Sequence, residues 1–408
     1  MMTFLAWLLI GSSIFLVAFY MNIFRNTERD ESYSLDTEPS VTILMAAYNE
    51  EDVVEEALEN ACDLDYGNYE VVLVDDGSTD STLEKASAVE SENSILTVLE
   101  HAENRGKAAA LNTGLEHIDS DYVVVHDADS RIDGDLLHKA AAKLEQKENL
   151  GAVIASIRPW RADTFIRKLQ EVEYRMTNFY RSLMDHIGTI DVTPGAFSMY
   201  RTADVKAVGG FDVGNLTEDL EMAWSLRKYG RDLSMIYHTY SETEFPVDLR
   251  ELYDQRVRWA RGGILNAFKH RDMFFRRSYG WFGVLQLPIQ FIMPAIAIIG
   301  LGMIFYGVVE GVFNLLVKWS AVGFVLPNFS SFGLYRTFLG MQWKIFLPLV
   351  ASIGMTGYIV KHAYDHAGEE VKHPFGLVVY IFAYFAVQAS FWFAAILKEL
   401  FRTKRIWT

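Results

Sequence analysis

The 408-residue sequence contains one cysteine, Cys62, so it can form neither an internal disulfide nor a cysteine-type zinc site. Basic residues are also scarce. Against 53 Asp and Glu stand 37 Lys and Arg, a net charge of -16, and no Lys/Arg-rich run is present to follow a phosphate backbone. That argues against nucleic acid as a partner. No G-x-G-x-x-G turn follows the first apolar strand-like run, which leads instead into AAYNE, and no glycine-rich loop ends in Gly-Lys-Ser/Thr. A Rossmann dinucleotide site and a Walker nucleotide site are therefore excluded. Charge itself is missing from long stretches: Met1 to Phe24, Trp281 to Val309, Trp319 to Tyr335, Ile345 to Val360 and Phe375 to Leu397 carry none.

What is present divides the chain in two. Half of all residues are hydrophobic and 14% are aromatic, enough for two or three packed units. The flanks, residues 1–24 and 281–408, hold nine basic and five acidic side chains, which leaves residues 25–280 with 28 basic, 48 acidic and a net charge of -20. An acidic soluble middle framed by charge-free runs is expected of a membrane protein. About 20 apolar residues rising roughly 1.5 Å each cross a bilayer core, so residues 1–24 are read as an uncleaved anchor. Arg25 and Arg29 place its far end in the cytoplasm, and the middle follows. Lys269, Arg271, Arg276 and Arg277 precede a run that enters from the cytoplasm and should leave near Glu310. Phe313 to Tyr335, with Lys318, Pro327 and Asn328, reads as a span or a re-entrant piece. Residues 281–397 then give three or four transmembrane helices. The basic tail 398–408, with Lys398, Arg402, Lys404 and Arg405, falls back in the cytoplasm. Trp281, Trp319, Trp343 and Trp407 suit interfacial anchors.

In the middle, short apolar runs at 41–46, 70–74, 95–99, 122–126 and 152–157 alternate with helical stretches at 50–62, 107–116 and 136–148. This predicts an α/β fold with a mostly parallel open sheet and helices on both faces over 25–245. Ligands of such sheets sit at the carboxyl ends of strands, where this sequence carries Tyr48-Asn49-Glu50, Asp75-Asp76-Gly77 and Asp127-Ala128-Asp129. Phe165 to Met184 and residues 246–280 read as amphipathic helices lying on the membrane surface.

Asp127 and Asp129, two apart after a strand, can share a hard cation such as Mg2+ or Mn2+. Asp75 and Asp76 can accept from a base N–H or a sugar hydroxyl. Asn104-Arg105-Gly106-Lys107 offers a turn and two cations to an anion. Glu218 and Asp219 open a helix, a place that favours carboxylates with or without catalysis. Gln255, Arg258 and Trp259 fall at i, i+3 and i+4 and share a helix face that can clamp a pyrophosphate and stack on a sugar.

Taken in order, AYNE (47–50), VDDGSTD (74–80), NRGKAAALN (104–112), HDADS (126–130), TPGAFSMYR (193–201), TED (217–219) and QRVRW (255–259) resemble an inverting family 2 glycosyltransferase of the membrane-embedded, processive type. It is similar to poly-N-acetylglucosamine, chitin-oligosaccharide and hyaluronan synthases. The resemblance implies a GT-A-like sheet with a helical transmembrane domain. It gives Tyr48, Glu50, Asp75 and Asp76 to the uridine, Lys107 to the phosphates, and Asp127 and Asp129 to the metal. Asp219 would be the base beside Glu218. Gln255, Arg258 and Trp259 would close over the diphosphate, and Gly195 would border the acceptor. TPGAF departs from the usual wording at the acceptor site, and no cellulose-type gating segment follows QRVRW. The expected activity is hexosyl transfer from a UDP-sugar to a growing polysaccharide at the plasma membrane. Transfer of one sugar to a membrane lipid is the alternative.

Overall fold

The computed structural model describes residues 2–25, 33–324 and 343–403. A long apolar helix, α1 (Met2–Arg25), leads into β1 (Val41–Ala47), α2 (Val54–Cys62), β2 (Tyr69–Asp75), α3 (Thr82–Glu92), β3 (Leu96–Glu100), α4 (Lys107–Leu115) and β4 (Tyr122–Asp127). These alternating units follow the apolar runs closely, because β1, β2 and β4 are buried on both faces and so read as continuous hydrophobic sequence, while β3 at the sheet edge is only partly covered. The chain continues through β5 (Ser130–Ile132), α5 (Leu136–Gln146), β6 (Leu150–Pro159), α6 (Phe165–His186), β7 (Ser198–Arg201), α7 (Thr202–Ala207), α8 (Glu218–Lys228) and β8 (Asp232–Thr243).

The eight strands form one open sheet in the order β3-β2-β1-β4-β7-β6-β8-β5. The α/β, GT-A-like expectation is borne out, with the sheet more mixed than the sequence suggested. Four neighbouring pairs are parallel, while β7 runs antiparallel to both β4 and β6, and β5 to β8. The reversal has a local cause. The Gly195 carbonyl accepts from the Asp127 N–H at 2.9 Å, which pins the TPGAF segment at the carboxyl end of β4, so the strand that follows must run back down. Helices α2, α3 and α5 cover one face of the sheet, and α4 and α8 the other.

Beyond the sheet come α9 (Leu249–Lys269), α10 (Leu287–Val322), α11 (Trp343–Ala367), α12 (Pro374–Phe382) and α13 (Tyr384–Leu400). The Asp248 side chain caps α9, accepting from the N–H groups of Arg250 and Glu251 at 2.8 and 3.0 Å, a contact worth about 1 kcal/mol. A single π-helical turn, Phe282–Gln286, opens α10. Among the described residues one helix, Phe282–Val322, is long and apolar enough to cross a membrane. The pair formed by α12 and the Ala386–Leu400 part of α13, bent by 52°, passes the same test when taken together.

Two expectations change. The run from Trp281 does not stop at Glu310: with no breaker there, α10 continues to Val322 and absorbs the start of the 313–335 segment. Residues 325–342 of that region, and the tail residues Lys404, Arg405 and Trp407, lie outside the described residues. Helix α6 does not lie open on a membrane surface. It packs on β6 and β8 below and on α11 and α12 above, and its cations pair with protein acids, Arg167 with Glu244 and Arg175 with Glu369.

Candidate active site

Asp127 ends β4 and Asp129 follows in the turn to β5. The Asp129 carboxylate accepts from Ser130 Oγ at 2.9 Å and from Thr243 Oγ1, at the end of β8, at 3.2 Å. Asp127 is paired with the ammonium of Lys107, the first residue of α4, which also lies 3.2 Å from Glu218. The backbone of residue 195 passes so close that a Cβ there would sit 2.6 Å from both Asp127 Oδ1 and Lys107 Nζ. Only glycine leaves that pair intact. Burial and the Asp127 charge push the Asp129 carboxyl up to about 6. Burial, then Asp129, Asp127 and Asp80, push Glu50 up to about 8.

Among the described residues no three His, Cys, Asp or Glu side chains converge to hold a metal. The site offers a carboxylate pair. That suits a divalent ion that takes its other ligands from phosphate and water.

Along the same rim, β1 lies between β4 and β2, with Ala46 opposite Asp127 and Ala47 opposite Asp75. Tyr48 is exposed there, and Asn49 adopts a left-handed conformation (φ 57°) that asparagine tolerates. The Asn49 side chain accepts from the Thr79 N–H at 2.9 Å, joining the AYNE and DDGSTD turns. Asp75 is buried. Its Oδ2 accepts from the Ser78 N–H at 3.0 Å, and its Oδ1 has no partner. Asp76 behaves differently: Oδ1 meets His101 Nδ1 at 2.7 Å and the Arg105 N–H at 3.0 Å, and Oδ2 accepts from the Gly106 N–H at 2.7 Å. Both oxygens are engaged in bracing the loop that delivers Lys107.

Across the rim, Asp219 sits in the first turn of α8, its Oδ1 accepting from the Leu220 N–H at 2.7 Å. Burial and then Glu218 push its carboxyl up to about 6, against the pull of Lys107 and Arg258. Arg258 donates to the Leu216 carbonyl at 3.3 Å, and the Trp259 ring, 36% exposed, lies under the Arg256 guanidinium at 4.2 Å. One cavity of about 510 Å³ is lined by Lys107, Asp127, Asp129, Glu218 and Asp219 together with Gln255, Arg258 and Trp259. Tyr48, Glu50, Asp75 and Asp76 stand outside that lining, on the neighbouring strand ends.

The sequence reading missed the far wall. Glu173, Arg181, Asp191, Gln290 and Gln388 line it, from α6, the loop after α6, α10 and α13. Glu173 accepts from Arg256 (2.8 Å), Tyr384 (2.6 Å) and Gln388 (3.0 Å), tying the middle arginine of QRVRW to α13. The only signal in the sequence was polar residues, Gln290 and Gln388, inside apolar runs.

With this geometry in hand, residues 42–208 match the family described as Glycosyl transferase family 2. Residues 42–208 are a family 2 glycosyltransferase domain. The chain is 30% identical over 279 residues to a poly-beta-1,6-N-acetyl-D-glucosamine synthase of Staphylococcus aureus (strain MSSA476), covering 65% of this chain and 65% of that protein, just under two thirds of its length. The Staphylococcus epidermidis protein of the same name is 30% identical over 224 residues, 55% of this chain and 54% of its own. A mannosyltransferase from Pyrobaculum calidifontis, solved in complex with GDP-Man and Mn2+, superposes with a TM-score of 0.66 at 19% identity, over 99% of this chain and 100% of that one. This likeness shows that the fold the two proteins share extends through the helices that follow the domain.

Proposed function

We propose that this family 2 glycosyltransferase is an inverting, metal-assisted enzyme of the membrane that transfers a sugar from a UDP-sugar to the growing end of a polysaccharide. The observation that carries the reading is the single cavity holding Asp127, Asp129 and Lys107 on one side and Asp219, Arg258 and Trp259 on the other. The names of the staphylococcal relatives make UDP-N-acetylglucosamine the first donor to try.

Asp219 takes the proton from an acceptor hydroxyl as that oxygen bonds to the anomeric carbon. The bond from that carbon to the diphosphate breaks in the same displacement, which inverts the centre. Lys107 and Arg258 offset the charge that collects on the departing diphosphate. A divalent ion, Mg2+ or Mn2+, bound by Asp127 and Asp129 would add charge neutralisation at the same oxygens. The Mn2+ of the Pyrobaculum structure supports such an ion here. Tyr48, Glu50 and the unpartnered oxygen of Asp75 would meet the nucleoside, and Asp76 would act through the loop it holds. Gln255 and Trp259 face the acceptor sugar.

The far wall favours a polysaccharide over a lipid acceptor, since Glu173, Arg181, Asp191, Gln290 and Gln388 suit hydroxyl groups and would oppose acyl chains. Placement in a bilayer is supported by the exposed apolar surface of α10, where Phe305, Val308 and Phe313 stand open, and by exposed Phe268, Phe275 and Trp281 at its base. The test is to incubate detergent-purified protein with Mn2+ and a panel of labelled UDP- and GDP-sugars and to size the product. Long chains from a UDP-sugar are expected. One sugar per lipid would establish the alternative acceptor, and turnover with GDP-sugars alone would overturn the donor assignment.

A further inference from the structure

Arg258, Gly262, Asn266 and His270 follow one another at intervals of four along α9 and its cap, so they form a single stripe. Every member of the stripe meets the short segment that carries Glu218 and Asp219. Arg258 donates to the Leu216 carbonyl. Gly262 packs under Thr217, where a Cβ would lie 2.3 Å from Oγ1 and 2.4 Å from Cγ2. Asn266 is fully buried: its Nδ2 donates to Thr217 Oγ1 at 3.1 Å, and its Oδ1 accepts from Asn215 Nδ2 at 2.6 Å. The Thr217 N–H in turn donates to Asn215 Oδ1 at 3.1 Å, and His270 Nε2 lies 3.3 Å from Glu221. Thr217 is the residue from which α8 starts, so its position sets the first turn of that helix.

We infer that Asn266, with Gly262 beneath Thr217, is a positioning residue that fixes Asp219 relative to Arg258 and Trp259. The base and the helix that faces it are thereby held as one unit. The inference rests on the reading of Asp219 as the base. Proton transfer requires the carboxylate within hydrogen-bond reach of the acceptor hydroxyl, and a displacement of about 1 Å costs on the order of 100-fold in rate. Asn266 does not line the cavity, and removing its amide would take one buried hydrogen bond from each of Thr217 and Asn215.

The test uses the full-length, detergent-purified enzyme with Asn266→Ala, Thr217→Val and the double variant. The expected result for Asn266→Ala is a kcat lower by roughly 10- to 100-fold with donor KM and UDP affinity unchanged, because Asp127 and Asp129 are held by other contacts. The double variant should lose no more than the worse single one. Gly262→Ala should show the same split by pushing on Thr217 from the other side. Multiplicative losses in the double variant, a parallel fall in UDP affinity, or wild-type kcat in Asn266→Ala or Gly262→Ala would overturn the inference. Asp219→Asn separates the two claims: a dead Asp219→Asn beside a fully active Asn266→Ala removes only the positioning role, whereas an active Asp219→Asn removes the base.

Discussion

At the scale of single residues, the chemistry is set by which carboxyls the fold leaves short of compensation. Asp219, normally ionised near pH 3.8, is pushed up to about 6. Below that pH it is protonated and cannot accept a proton, so transfer should rise with pH through about 6 and level off above it. A rate profile with no limb in that region would count against the assignment. Glu50 behaves similarly for stability. Its proton is bound more tightly in the folded chain than in the unfolded one, whose carboxyl titrates near 4.5, so stability should fall as pH climbs from about 4.5 to about 8 in metal-free protein. Glu50→Gln should flatten that dependence and raise the melting temperature at pH 8; an unchanged melting curve would show that the acid cluster is not strained. The sequence made Glu50 visible through its strand-end position and Asp219 through its place at the start of a helix. It did not reveal that Asp76 is consumed by His101 and two loop amides, because the loop that returns to it lies some 25 residues on.

Legibility of the secondary structure depended on how each element is buried. The strands β1, β2 and β4 are apolar on both faces and were plain in the sequence. β8 was not, because its buried Ser234, Thr239 and Ser241 break the hydrophobic run, and the partners that satisfy a hydroxyl such as Ser241, the carbonyls of Ala196 and Arg131, come from elsewhere in the chain. α6 was misplaced for the opposite reason. Its basic and aromatic composition is what a membrane surface also selects, and only Glu244 and Glu369, both distant in sequence, show that protein covers it. The turn before β7 makes a prediction of its own. Gly195→Ala would thrust a methyl against Asp127 and Lys107, so kcat/KM for the donor should drop at least about tenfold while the fold persists. Near-normal donor kinetics would mean that Lys107 can move aside without consequence.

For the whole molecule, the question is how an acidic catalytic unit and apolar helices share one cavity. The helix Phe282–Val322, α10 together with its opening π-helical turn, spans about 60 Å if straight, roughly twice a bilayer core, so it cannot be a simple perpendicular span along its full length. Its first turns instead belong to the catalytic unit: Phe282 and Leu287 are buried in the core behind α4 and α8. The apolar remainder should keep the protein in the membrane fraction through high salt and alkaline wash, with release only by detergent; recovery in the salt wash would remove the bilayer from the proposal. The contacts between α6, α9 and α13 that close the cavity could not be read from the sequence. They depend on Glu173 meeting Arg256, Tyr384 and Gln388, residues separated by up to 215 positions.

The most direct measurement compares wild type with Asp219→Asn in two readouts on the same preparation: sugar transfer from UDP-N-acetylglucosamine with Mn2+, and UDP binding by calorimetry. Transfer should fall by about 100- to 10,000-fold while UDP affinity is retained. Turnover at the wild-type rate, or UDP binding lost together with transfer, would contradict a cavity in which one carboxylate activates the acceptor and a separate pair holds the donor.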